Sequence, residues 1–140
     1  FKKELFFTDV EGKTKDEVLK NLCRKVEQEK GLPETFTASV LKREELTPTD
    51  YGNLVALPHP ERAFQERAFV AVAVLKEPIF WFRQKVQVVF LTAIGREEDE
   101  NLQQFYEATT DLILRPADVQ NLIRHPDYDR LIQLLRRAEE

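Results

Sequence analysis

The chain has no methionine, one cysteine, one serine, one tryptophan and two histidines among its 140 residues. Each shortage excludes a class of chemistry. Cys23 has no partner for an intrachain disulfide, and one cysteine with two histidines cannot assemble a Cys/His zinc site. The four glycines, Gly12, Gly31, Gly52 and Gly95, are too scattered for a phosphate-cradling loop or a dinucleotide fingerprint. Ser39, the lone serine, falls inside a predicted helix and not on a strand-to-helix elbow, which argues against a serine hydrolase. No apolar run exceeds the eight residues from Ala68 to Leu75, far short of the ~20 that cross a bilayer. Nor does a charged-then-apolar signal open the chain, so a cytoplasmic domain without membrane insertion is expected. The net charge of −4 offers no basic face for phosphodiester backbones, and direct nucleic-acid contact is not expected. A chain that starts at Phe1 without an initiator methionine is expected to be a piece of a longer protein. Neither a cofactor nor a metal is expected.

What is present suits one globular domain over residues 1–140, with 42% hydrophobic and 33% charged residues. Leu5 to Val10 reads as a short strand. Thr14 and Glu17 form a capping box that opens a helix with Val18, Leu19, Leu22 and Val26 on one face, and Gly31 then Pro33 stop it. Cys23 lies beside that stripe and is most simply a small core residue. A second helix over Glu34 to Glu45 turns Phe36, Val40 and Leu41 inward, and Thr47 to Asn53 reads as a loop. Three strands are predicted at Leu54–Leu57, Ala68–Leu75 and Val86–Thr92. Between the last two, Phe80, Trp81 and Phe82 are expected to cover a core edge. The acidic run Glu97 to Glu100 reads as a helix start, followed by an apolar stripe through Leu102, Phe105, Tyr106, Thr109, Leu112 and Ile113. Pro116 to Ile123 and Asp127 to Arg137 complete the order βααβββααα. That order predicts an α/β fold, a mixed sheet sandwiched by helices.

His59 stands between Pro58 and Pro60, directly after a short apolar strand, so its backbone is held extended. An imidazole on a stiff loop at a strand's C-terminal end suits a nucleophile or ligand, although an incidental surface histidine fits the spacing as well. His125 also precedes a proline but sits between two helices, beside Asp127, and reads as a helix-start residue.

The stretch from Arg43 to Pro60 resembles the signature of the mannitol/fructose-type, or type-2, enzyme IIA domains of the bacterial sugar phosphotransferase system (PTS). The pair Arg43-Glu44 closes a helix, Thr49, Gly52 and Asn53 form a Thr-x-x-Gly-Asn loop, and Pro58-His59 ends the next strand. The likeness extends through the capped first helix, Ile79-Phe80-Trp81, Val86 to Leu91 and the helix from Glu100. It implies that His59 accepts a phosphoryl group from the phosphocarrier protein HPr or exchanges one with a IIB-type partner. Arg43 would offer its planar guanidinium to the phosphoryl oxygens. Thr49 and Asn53 would donate hydrogen bonds or shape the loop. Sugar-transporting members usually carry a second histidine in a Glu-His-Leu, where this chain has Glu100-Asn101-Leu102. Asn101 can hydrogen-bond a phosphate but cannot titrate. Leu54 replaces a usual glycine, and Pro60 follows the histidine.

These departures look most like the IIA-like domains at the C-terminal end of antiterminators and activators that carry PTS regulation domains. The resemblance therefore implies a phosphorylation-sensing domain of a sugar-operon regulator. A true IIA phosphoryl carrier feeding a sugar permease is the alternative, and an unphosphorylated interaction module is a third reading.

Overall fold

Thr14 caps the first long helix as its spacing predicts. Its Oγ1 accepts from Glu17 N at 3.2 Å, while Lys13 N donates to Glu17 Oε2 at 3.0 Å. This helix, α1 (Lys15–Lys30), ends at Gly31, whose φ of 66° places it in the left-handed region that glycine adopts without cost. The computed structural model describes residues 2–97 and 100–139. Beyond α1 it contains α2 (Thr35–Leu46), α3 (Glu100–Ile113), α4 (Pro116–Arg124) and α5 (Tyr128–Glu139). The strands are β1 (Phe6–Phe7), β2 (Asp50–Gly52), β3 (Val55–Ala56), β4 (Phe69–Phe80) and β5 (Lys85–Ala93).

They form one sheet in the order β1-β4-β5-β3-β2. β1 with β4 and β3 with β5 run parallel, and the other two pairs are antiparallel, so the sheet is mixed. Alternation along the strands divides the core. Ala71, Ala73, Leu75, Val89 and Leu91 face α1 and α2, meeting Leu22, Val26, Phe36 and Val40. Val70, Val72, Val74, Val88 and Phe90 face the other way, against Phe105, Leu112, Leu122 and Leu131. Burial on both faces explains why β4 reads as a continuous apolar run instead of an alternating one. This is the α/β sandwich expected from the element order.

Local differences have local causes. The expected first strand shrinks to Phe6–Phe7 behind a 3₁₀ turn at Lys3–Leu5. The expected loop contains β2, and with β3 it makes a hairpin whose two turn residues, Asn53 and Leu54, both have positive φ (50° and 70°). β4 runs five residues past the expected Leu75, through Pro78, because the register slips between Val74 and Ile79. β1 pairs with β4 only at Val72 and Ala73, so Pro78 stands at a free edge where its missing N–H matters little. Gln87 fills the slip by donating Nε2 to the Leu75 and Lys76 carbonyls at 2.9 and 3.2 Å. Trp81 is buried as expected, but Phe80 and Phe82 are 63% and 49% exposed and do not seal a core edge. His125 proves to be the C-cap of α4, while Asp127 Oδ1 accepts from Arg130 N at the start of α5. Of the acidic helix-start run, Glu98 and Asp99 lie outside the described residues.

Candidate functional site

His59 follows β3 by three residues, on a half-buried segment beside the C-terminal end of β5. Thr92 N donates to Pro58 O at 3.0 Å, which fixes the loop to that end of the sheet. The His59 Nδ1 lies 3.3 Å from Leu57 O. A carbonyl can only accept, so this contact selects the tautomer with hydrogen on Nδ1 and leaves the lone pair on Nε2.

Arg43 lies in the last turn of α2 and donates Nη1 to Thr47 O at 3.0 Å. Two residues further, Thr49 O accepts from Leu57 N at 3.0 Å. The segments carrying Arg43 and His59 are therefore tied together through Thr49 and Leu57, in one loop cluster formed where α2 ends and β3 ends. Thr49 belongs to it too, with its hydroxyl donating to Glu44 Oε1 at 2.6 Å. Asn53 is elsewhere. It precedes β3 while His59 follows it, and its Nδ2 donates to Ile113 O at the C-terminal end of α3. Asn101 stands in the first turn of α3, twelve residues and about 18 Å of helix from Ile113. Asn53 and Asn101 thus cannot hold the same phosphate through their present positions. β5 runs parallel to β3 and leads into α3, which brings the first turn of α3 to the end of the sheet that carries His59. Asn101 there lines a cavity of about 340 Å³ with Phe69, Gln104, Phe105 and Leu135.

One residue of the cluster was not singled out from sequence. Glu44 is 2% exposed, and its Oε1 also accepts from Trp81 Nε1 at 2.8 Å and Thr49 N at 3.0 Å. Its signal was legible, since Phe36, Val40 and Glu44 recur every four residues and put a carboxylate on the buried stripe of α2. Cys23 is fully buried in the α1 layer, where burial pushes its thiol well above the usual range. It is a core residue, not a nucleophile. Among the described residues no cluster of three or more His, Cys, Asp or Glu could hold a metal ion.

A family profile described as "Phosphoenolpyruvate-dependent sugar phosphotransferase system, EIIA 2" matches residues 1–138. The chain belongs to this family. Two curated relatives are regulators from Bacillus subtilis (strain 168). The "Probable licABCH operon regulator" is 37% identical over 130 residues, 93% of this chain and 20% of its own length. "Transcriptional regulator ManR" is 27% identical over 120 residues, 86% of this chain and 18% of its own. This EIIA type-2 domain thus spans about a fifth of each regulator. Among solved structures, an Escherichia coli complex of enzyme IIA-mannitol with phosphorylated enzyme IIB-mannitol contains a chain of the same fold. It superposes with a TM-score of 0.76 at 17% identity, over 94% of both chains. Among the described residues no helix is long and apolar enough to cross a membrane.

Proposed function

We propose that this EIIA type-2 domain is a phosphorylation sensor within a sugar-operon regulator, charged on His59. The observation that carries the reading is the Nδ1 contact with Leu57 O, which leaves the His59 Nε2 lone pair available on a segment tied through Thr49 to that of Arg43, in a PTS family chain. Nε2 attacks the phosphorus of a phosphorylated donor side chain, on HPr or on a IIB-type protein. The bond from phosphorus to the donor atom breaks, and its electron pair returns to the donor side chain, which takes up a proton where its protonation requires one. His59 keeps its Nδ1 hydrogen, and the positive charge that develops on its ring is stabilised by the Leu57 carbonyl. Arg43 lies in the same loop cluster, with guanidinium N–H groups beyond the one bonded to Thr47 that suit phosphoryl oxygens.

Thr49 shapes the loop, Asn53 shapes the β2–β3 turn, and Asn101 supports the anion from the first turn of α3. The regulatory reading is supported by the two regulator relatives and by Asn101 in the place of a second histidine, since a group that cannot titrate is poorly suited to onward transfer. The solved IIA–IIB complex supports a IIB-type partner, and a cytoplasmic setting follows from such donors.

Incubation with phosphoenolpyruvate, enzyme I and HPr, with mass spectrometry to locate the phosphate, tests the proposal. His59 is expected to carry all acid-labile label. A His59→Ala protein should fold and take none, and His125→Ala should label normally. Label persisting in His59→Ala overturns the assignment.

A further inference from the structure

The carboxylate of Glu44 is almost wholly buried, and its two oxygens are used unequally. Oε1 accepts three hydrogen bonds, from Thr49 N, Thr49 Oγ1 and Trp81 Nε1, while the buried Oε2 has no hydrogen-bond partner among the described residues. An apolar side chain in its place would leave three donors without their acceptor, so the carboxylate ties Thr49 and Trp81 to the end of α2. The consequence lies in what Thr49 does next. Its carbonyl accepts from Leu57 N at 3.0 Å, and the Leu57 carbonyl is the group 3.3 Å from His59 Nδ1.

We propose that Glu44 is the positioning residue of the phosphoryl-acceptor site: by clamping Thr49 it fixes the Leu57 carbonyl that sets the tautomer and orientation of His59. The amides along this path belong to successive peptide units, so the effect is mechanical, transmitted by bond geometry. Trp81 extends the clamp to the end of β4. Asp50 closes the same corner, its Oδ2 accepting from Arg83 N and Gln84 N at 2.8 and 3.1 Å in the turn between β4 and β5. The loop bearing Thr49 is thus held at both ends, one by Glu44 and one by that turn. β3 contributes only two residues of ladder and could not by itself hold the next three in register. A loop residue shifted by an ångström at a reacting centre is enough to cost a large rate factor.

This inference rests on the reading of His59 as the phosphoryl acceptor, and the test separates the two. Ring ¹⁵N chemical shifts report the His59 tautomer without any phosphoryl transfer, and labelling from phospho-HPr at saturating donor reports the rate. Glu44→Gln keeps an acceptor oxygen but loses the charge that strengthens three bonds, and Thr49→Val removes the hydroxyl while keeping the branched shape. Both are expected to shift His59 from the Nδ1–H form towards a mixture of tautomers. Both should also slow labelling roughly tenfold with the donor's KM unchanged. Thr49→Ser restores the hydroxyl and should restore both readouts. Should Glu44→Gln fail to fold, the Thr49→Val and Thr49→Ser pair decides. Folded variants with wild-type ring shifts and wild-type rates overturn the role of Glu44 and leave the acceptor reading intact. A wild-type protein that takes no label overturns the acceptor reading, and the ring shifts still judge Glu44.

Discussion

At Gly95 there is no room for a side chain. A Cβ there would collide with the Glu66 carbonyl oxygen and stand 2.6 Å from Ala68 N, against backbone already bonded through Arg96 N to Gln65 O and Glu97 N to Glu66 O. Gly95→Ala is therefore expected to lower stability by ~1–3 kcal/mol, read from denaturant midpoints, because backbone must move to admit the methyl group. Arg43 presents the opposite case, a side chain with one bond to its own helix end and a half-exposed head. Arg43→Ala should slow His59 labelling by at least ~10-fold, the scale of a hydrogen bond to a charged group, while the thermal midpoint moves little. Unchanged labelling would remove Arg43 from the site. For Cys23, burial that disfavours the thiolate predicts protection from alkylation in the native protein and rapid modification in denaturant. A native-state reaction at the rate of a free thiol would contradict its place in the core.

The β2–β3 hairpin shows how an element absorbs a residue that its turn does not favour. Leu54 adopts φ 70° where a glycine would be unstrained, and it stays there because Leu54 O accepts from both Gln87 N and Val88 N of β5, at 2.8 and 2.9 Å. Left-handed backbone is still less accessible to a β-branched residue. Leu54→Val should cost on the order of 1–2 kcal/mol, whereas Leu54→Gly should change stability by less than ~1 kcal/mol, since relief of strain offsets lost contact and added chain entropy. Equal losses for the two would show that side-chain packing, not backbone, governs the position. The same hairpin explains why Asp50–Gly52 is a strand where local preference predicts a loop. Asp50 and Gly52 are turn formers by local preference, and only pairing with β3 makes them, with Tyr51, a strand.

For the molecule as a whole, the sheet separates two helical layers that share no buried side chain among the described residues. Leu22 belongs to one core and Leu131 to the other. Leu22→Ala and Leu131→Ala should each destabilise by ~2–5 kcal/mol, and their effects should add within about 0.5 kcal/mol in the double variant, because the sites share no partner. A coupling well beyond that would show the sheet transmitting strain between layers. The acceptor cluster sits where α2 of one layer and β3 of the sheet both end, and its loops carry less buried apolar surface than either core. Local opening there is expected before global unfolding, with amide exchange at His59 faster than at Val72 or Val89.

Sequence alone determined the elements whose information is local: the capped α1 with its glycine stop, the apolar stripe of α3, the doubly buried β4 and β5, and a histidine held between two prolines. These follow from nearest-neighbour sterics and from periodicity, which a linear string records in full. Tertiary structure decided the rest. The strand β2 exists only through pairing, as does the shortened extent of β1, the β4 slip past Pro78 depends on which of its edges is free, and exposure of Phe80 and Phe82 depends on where the hairpin projects. The link from Glu44 through Thr49 and Leu57 to His59 joins residues fifteen positions apart by bonds that no spacing encodes, because each depends on where a folded backbone turns its carbonyl.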